Sequence, residues 1–156
     1  MTNLATGIFR GAAASIVVVV HNATSPTDEE WARYVENIGA CLGDDGASGL
    51  AVTDGGGPNA LQRGQINDAL DGRRARSSVI SSNIAVRGIV TALRWFNPDI
   101  AAFGPKDVAA ATAFIGVEPT EIDAIWAFVK ALDEQIRPRS RVVELASSAL
   151  GKKRQM

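Results

Sequence analysis

The sequence predicts an α/β domain, a four- to five-stranded and mostly parallel sheet covered by helices, with an additional helical segment at its C-terminal end. Three observations carry that expectation. Ser15 to Val20 is an unbroken, valine-rich run; continuity without alternation means burial on both faces, as in a central strand roofed by helices. Leu50 to Thr53 leads through Asp54-Gly-Gly-Gly-Pro-Asn59 into a helical pattern, and a strand, glycine turn and helix in succession is where open α/β sheets place ligands. Short apolar runs then alternate with helical patterns as far as Gly116. Crossovers that short require parallel, right-handed βαβ units.

The elements follow in order. Ile8-Phe9 suggests a short leading strand that turns at Arg10-Gly11, ahead of the valine strand. After a loop from His21 to Pro26, Thr27-Asp-Glu-Glu30 reads as a capping box: the Thr27 hydroxyl accepts from the third helical N–H and Glu30 reaches back. Trp31, Tyr34, Val35, Ile38 and Leu42 recur at helical spacing, so this helix lays an aromatic-aliphatic stripe on the sheet. Gly43 to Gly49 reads as a loop. Pro58 suits the first turn of the next helix, where an N–H is not needed. That helix extends to about Leu70, with Leu61, Ile66, Ala69 and Leu70 expected inside and Gln62, Arg63 and Gln65 elsewhere.

Asp71 to Arg76 reads as a basic loop, and three arginines so close can grip an anion or simply be solvated. Ser77 to Ser81 is the third strand of the alternating series. Ser82-Asn83 offer a cap to a helix from Ile84 to Phe96, which Asn97-Pro98 stops. Ile100 to Phe103 is a further strand, and Val108 to Ile115 a helix. From Pro119 a long amphipathic helix carries Ile122, Ile125, Trp126, Val129, Leu132 and Ile136 until Arg137-Pro138 breaks it. A last helix runs from Ser140 to Leu150, ahead of a Lys-Lys-Arg tail that is the segment most prone to disorder. These limits divide the chain into an α/β domain over residues 1–117 and a helical extension over 118–156 that packs on it or on a partner.

With 156 residues, 46% apolar and 21% charged, the chain has the composition of one globular domain. A formal net charge of -1 gives no general attraction to nucleic acid or anionic lipid, and neither is expected as a partner. One cysteine, Cys41, and one histidine, His21, exclude an intrachain disulfide, a cysteine-based zinc site and a histidine cluster; no cofactor or metal is expected. Ala12 to Val20 is too short to span a bilayer and lacks a small-residue cleavage site after it. A cytoplasmic location is the expectation.

Candidate functional residues collect at the carboxyl ends of the central strands. In the glycine turn, N–H groups of Gly56, Gly57 and the helix start can face a phosphate or carboxylate, with Arg63 assisting. The same glycines, Gly55 included, also suit a tight turn needing positive φ. Asp54 and His21 end neighbouring strands, so a carboxylate orienting an imidazole as general base is conceivable, although no nucleophile elbow accompanies them. Asn59 and Arg63 flank this edge. Arg87 and Arg94 share one helix side, and with Trp95 and Phe96 they suggest a guanidinium-aromatic contact surface. In the helix from Thr120 to Ile136, Trp126 and Phe128 lie on different sides, which suggests a homodimer through that helix.

The element order resembles the anti-sigma-factor antagonist (STAS) fold and its SpoIIAA-like bacterial relatives, over roughly residues 6–117. The local stretches that carry it are Ser25 to Trp31, Thr53 to Asn59 and Arg87 to Asn97. The resemblance implies a small bacterial regulatory or ligand-binding module without catalytic machinery. Antagonists of that family carry an Asp-Ser pair at the turn after the second parallel strand, the serine being phosphorylated. Asp54 matches the acid, but Gly55 stands where the serine would be, which leaves Ser81 and Ser82 as the nearest other acceptors. A non-catalytic regulatory or protein-binding module is the expected function. The alternatives are binding of a small molecule or anion in a cleft beside Asp54, Asn59, Arg63 and His21, or an enzyme using that same edge.

Overall fold

The computed structural model describes residues 2–93 and 99–154. Strands β1 (Leu4–Arg10), β2 (Ser15–His21), β3 (Ala47–Thr53), β4 (Ala75–Ile80) and β5 (Ile100–Phe103) form one sheet in sequence order. β1 is antiparallel to β2, and β2 to β5 run parallel. Val18 lies beside Leu50 and His21 beside Thr53, so the valine strand and the strand entering the glycine turn are parallel neighbours, as expected.

Among the described residues six α-helices cover the sheet: α1 (Asp28–Cys41), α2 (Ala60–Leu70), α3 (Ile84–Leu93), α4 (Val108–Phe114), α5 (Ile122–Asp133) and α6 (Arg141–Arg154). Each crossover from β2 to β5 steps to the next strand in one direction. A constant right hand therefore puts α1, α2 and α3 on the same face, and α4, α5 and α6 close the other. Strand alternation sorts the core between them. Ile16, Val18, Val20, Leu50 and Val52 meet Ile125, Val129, Val142 and Val143, while Val17 and Val19 meet Ile38 and Trp31. Each of the four buried valines Val17–Val20 contributes roughly 1.5–3 kcal/mol relative to exposure. The C-terminal helices α5 and α6 supply more than a third of the larger core, with α5 over β1 and β2 and α6 over β3.

Four differences from the sequence reading have physical reasons. β3 begins at Ala47 and β4 at Ala75, because each pairs along its length with a neighbour that compensates for small or polar residues. Arg76 consequently leaves the supposed basic loop for β4, its guanidinium 5.2 Å above the Phe114 ring, while Arg74, just ahead of the strand, pairs with Asp99 at 2.6 Å. α6 continues through the basic tail to Arg154. Finally, the apolar excess of α5 is absorbed within the chain. Trp126 is buried and its indole N–H donates to Ser147 Oγ at 2.9 Å, and Phe128 packs edge-on to Phe9 of β1. Trp126 and the half-buried Phe128, expected from sequence to seat a second copy, thus both have partners within the chain.

Candidate functional site

Of the three glycines after β3, two have a physical reason to be glycine. Gly55 has φ +135°, a conformation side chains rarely adopt. Gly56 runs against another loop: a Cβ there would sit 2.5 Å from the carbonyl oxygens of both Asn22 and Thr24. Around Gly57 there is open space. Gly56→Ala is therefore expected to cost about 2 kcal/mol as overpacking, and Gly57→Ala less than about 0.5 kcal/mol; thermal unfolding of the two variants side by side checks this.

The turn donors expected to face an anion are mostly engaged inside the chain. Gly55 N–H donates to Thr53 Oγ1 at 3.0 Å and Gly56 N–H to the Asn22 carbonyl at 3.0 Å. The next donors belong to a capping box in which Asn59 and Gln62 bond reciprocally, Gln62 N–H to Asn59 Oδ1 and Asn59 N–H to Gln62 Oε1. α2 thus starts at Ala60, one cap residue beyond Pro58. The shift changes its inner face. Leu61, expected inside, is 71% exposed, whereas Gln62, expected elsewhere, is 2% exposed. Gln62 survives burial because its side-chain NH2 donates to the Pro26 carbonyl and Asp28 Oδ1 and its Oε1 accepts from Asn59 N–H, while its backbone carbonyl accepts from Trp31 Nε1 at 2.8 Å.

Asp54 and His21 do not form the expected couple. His21 pairs in register with Thr53, so Asp54, one residue further, projects to the opposite face. Its carboxylate receives Ser140 Oγ (2.9 Å), Arg141 N–H (3.0 Å) and Val142 N–H (3.0 Å), while Ser140 Oγ accepts from Val143 N–H. Asp54 and Ser140 between them satisfy the first three N–H groups of α6.

The His21 side lines a cleft of about 380 Å³ on the α1–α3 face. Ala51 and Val79 form its floor, Trp31 and Tyr34 one wall, Val86, Ile89 and Val90 the other; the glycine turn and Arg63 border one end. Of the residues singled out from sequence, the fold gathers His21, Gly55, Gly56, Gly57 and Arg63 here. Asp54 and Asn59 serve as helix caps instead, and Arg87 lines a separate groove. Ser81 is fully buried, its hydroxyl accepting from Asn83 N–H, whereas Ser82 is exposed. Arg94, Trp95 and Phe96 lie outside the described residues.

His21 gives this apolar cleft its polar character. It is 4% exposed, its ring centroid is 6.3 Å from that of Trp31, and its Nδ1 is buried without a hydrogen-bond partner among the described residues. Desolvation lowers its pKa to about 4, against a smaller upward pull from Glu30, so the imidazole is neutral near pH 7. Burial pushes the Tyr34 phenol up to about 12. Glu30 precedes the cleft residue Trp31 on α1. Desolvation raises its pKa, but N–H groups of Thr27, Leu4 and Asn3 outweigh that and hold the carboxyl below its ordinary value. The capping box at Thr27 forms as expected and also ties β1 to α1.

Sequence reading missed Gln62 and Asn22. Asn22 is fully buried, donates to the Arg137 carbonyl at 3.1 Å and accepts Gly56 N–H on its own carbonyl. An Asn-Gln pair at cap spacing was the one available signal for Gln62. Comparison with protein-family models, with curated proteins and with solved structures finds no match.

Proposed function

We propose that the protein is a non-catalytic binding module whose ligand is a small, largely apolar molecule carrying one polar group. The reading rests on one observation: a buried, neutral imidazole with a ring nitrogen unpartnered among the described residues, in an apolar cleft of about 380 Å³. Ligand pockets of that size pair apolar walls with few, well-placed polar groups. An unpaired buried nitrogen costs about 1–3 kcal/mol, which a ligand hydrogen bond would recover. The Asp54 carboxylate is committed to α6, so the general-base role that an Asp54–His21 couple would supply has no support here. The antiparallel β1–β2 pair followed by parallel strands, together with the element order, supports the STAS-like family reading.

The test uses N-phenyl-1-naphthylamine, a neutral fluorescent probe with one N–H. Saturable one-site binding in the micromolar range is expected, and Ala51→Phe, which fills the cleft floor, should weaken it at least tenfold without lowering the thermal midpoint. Equal binding by Ala51→Phe, or none by the natural sequence, would remove the reading.

A second reading keeps the site and changes the occupant. Leu61 on α2 and Ile84 and Ile89 on α3 are 71%, 78% and 62% exposed, and exposed apolar residues beside a cleft favour a protein partner's apolar side chain. A regulatory module acting through protein contact would use this face.

A further inference from the structure

Four cations from three separate parts of the chain line one groove of about 630 Å³: Arg87 on α3, Lys106 in the turn between β5 and α4, and Lys152 and Lys153 on α6. Asp107 is the one acidic residue among those lining it. Such a concentration of positive charge stands out in a chain of net charge -1. None of the four cations forms an ion pair among the described residues. Lys153 Nζ reaches the Lys106 carbonyl at 3.5 Å, so the end of α6 is drawn to the β5–α4 turn.

Arg87 is the decisive member. Its Nε is buried and has no hydrogen-bond partner among the described residues. A Cβ on Gly104 would lie 3.4 Å from Arg87 Nη1, so the guanidinium lies close against the turn. A charged donor withdrawn from water and left unpaired is costly. An oxyanion in the groove would supply its acceptor, and a guanidinium beside several ammonium groups favours a dianion over a carboxylate. Ser82 adds a hydroxyl, and Leu145, 39% exposed, adds an apolar wall. We propose that this groove binds a small organic phosphate, its phosphate on Arg87 and the lysines and its organic part against Leu145. The site is separate from the His21 cleft and does not depend on the function proposed above.

Calorimetric titration of the full chain at low ionic strength with inorganic phosphate and with phenyl phosphate tests this. Phenyl phosphate is expected to bind more tightly than inorganic phosphate. Arg87→Gln and the double variant Lys152→Ala/Lys153→Ala should each weaken it at least tenfold, and added salt should weaken it progressively. The lysine variant alters exposed side chains, so it decides the matter even if Arg87→Gln folds poorly. No binding at millimolar phenyl phosphate, or unchanged binding in the lysine variant, overturns the proposal. Sedimentation with phosphatidic acid vesicles without heat from phenyl phosphate would overturn it in favour of a lipid surface.

Discussion

Replacing Asp54 with alanine is expected to lower the free energy of unfolding by about 3 kcal/mol, through loss of a helix cap together with its charge-assisted hydrogen bonds. The carboxylate receives three donors from the start of α6, and α6 places Val142, Val143 and Ala146 in the main core. A cap lost there loosens a packed layer, not just a frayed end. The thermal midpoint should fall by about 6–12 °C for a chain of this size. Asp54→Asn keeps one acceptor oxygen and should cost about half as much. Urea denaturation of both variants, with unchanged slopes, measures the difference; an Asp54→Ala midpoint equal to that of the natural sequence would sink the capping account.

Acidification from about pH 6.5 to about pH 4 should remove about 3 kcal/mol of stability through His21 alone. The sign follows from protons bound. In the unfolded chain the imidazole titrates near 6.5, whereas burial holds it near 4 in the folded protein. Between those values the unfolded state takes up a proton that the folded state refuses, so stability is full above 6.5 and falls with pH until about 4. Glu30 acts in a lower window: its folded pKa is depressed, so its contribution is lost only as pH drops below the ordinary carboxylate value. Subtracting the stability-pH curve of His21→Gln from that of the natural sequence isolates the histidine term. A difference curve that is flat between pH 4 and 6.5 would show that the imidazole is not desolvated. Probe binding to the cleft should meanwhile stay constant from pH 5 to 8, since the bound form is neutral throughout.

The local sequence by itself determined the layered architecture. The unbroken valines at 17–20 required a strand covered on both sides, and the Thr27–Glu30 spacing required a helix start. Leu50 to Asn59 required a strand entering a glycine turn, and the short crossovers required the parallel order of β2 to β5. These are properties of residues within a few positions of one another, which backbone geometry and periodicity turn directly into structure. Only the tertiary structure decided what each polar side chain does. Asp54 reads as a ligand at a sheet edge until α6 arrives from 86 residues away to claim it. Gln62 reads as lying off the buried side of its helix until Pro26, Asp28 and Asn59 supply partners that make its burial tolerable. Arg87, Lys106 and Lys152 are scattered in the chain and meet only because α6 folds back over the carboxyl edge. Hydrogen bonds and charges act over a few ångströms in space, and that proximity is created by packing rather than by neighbouring letters.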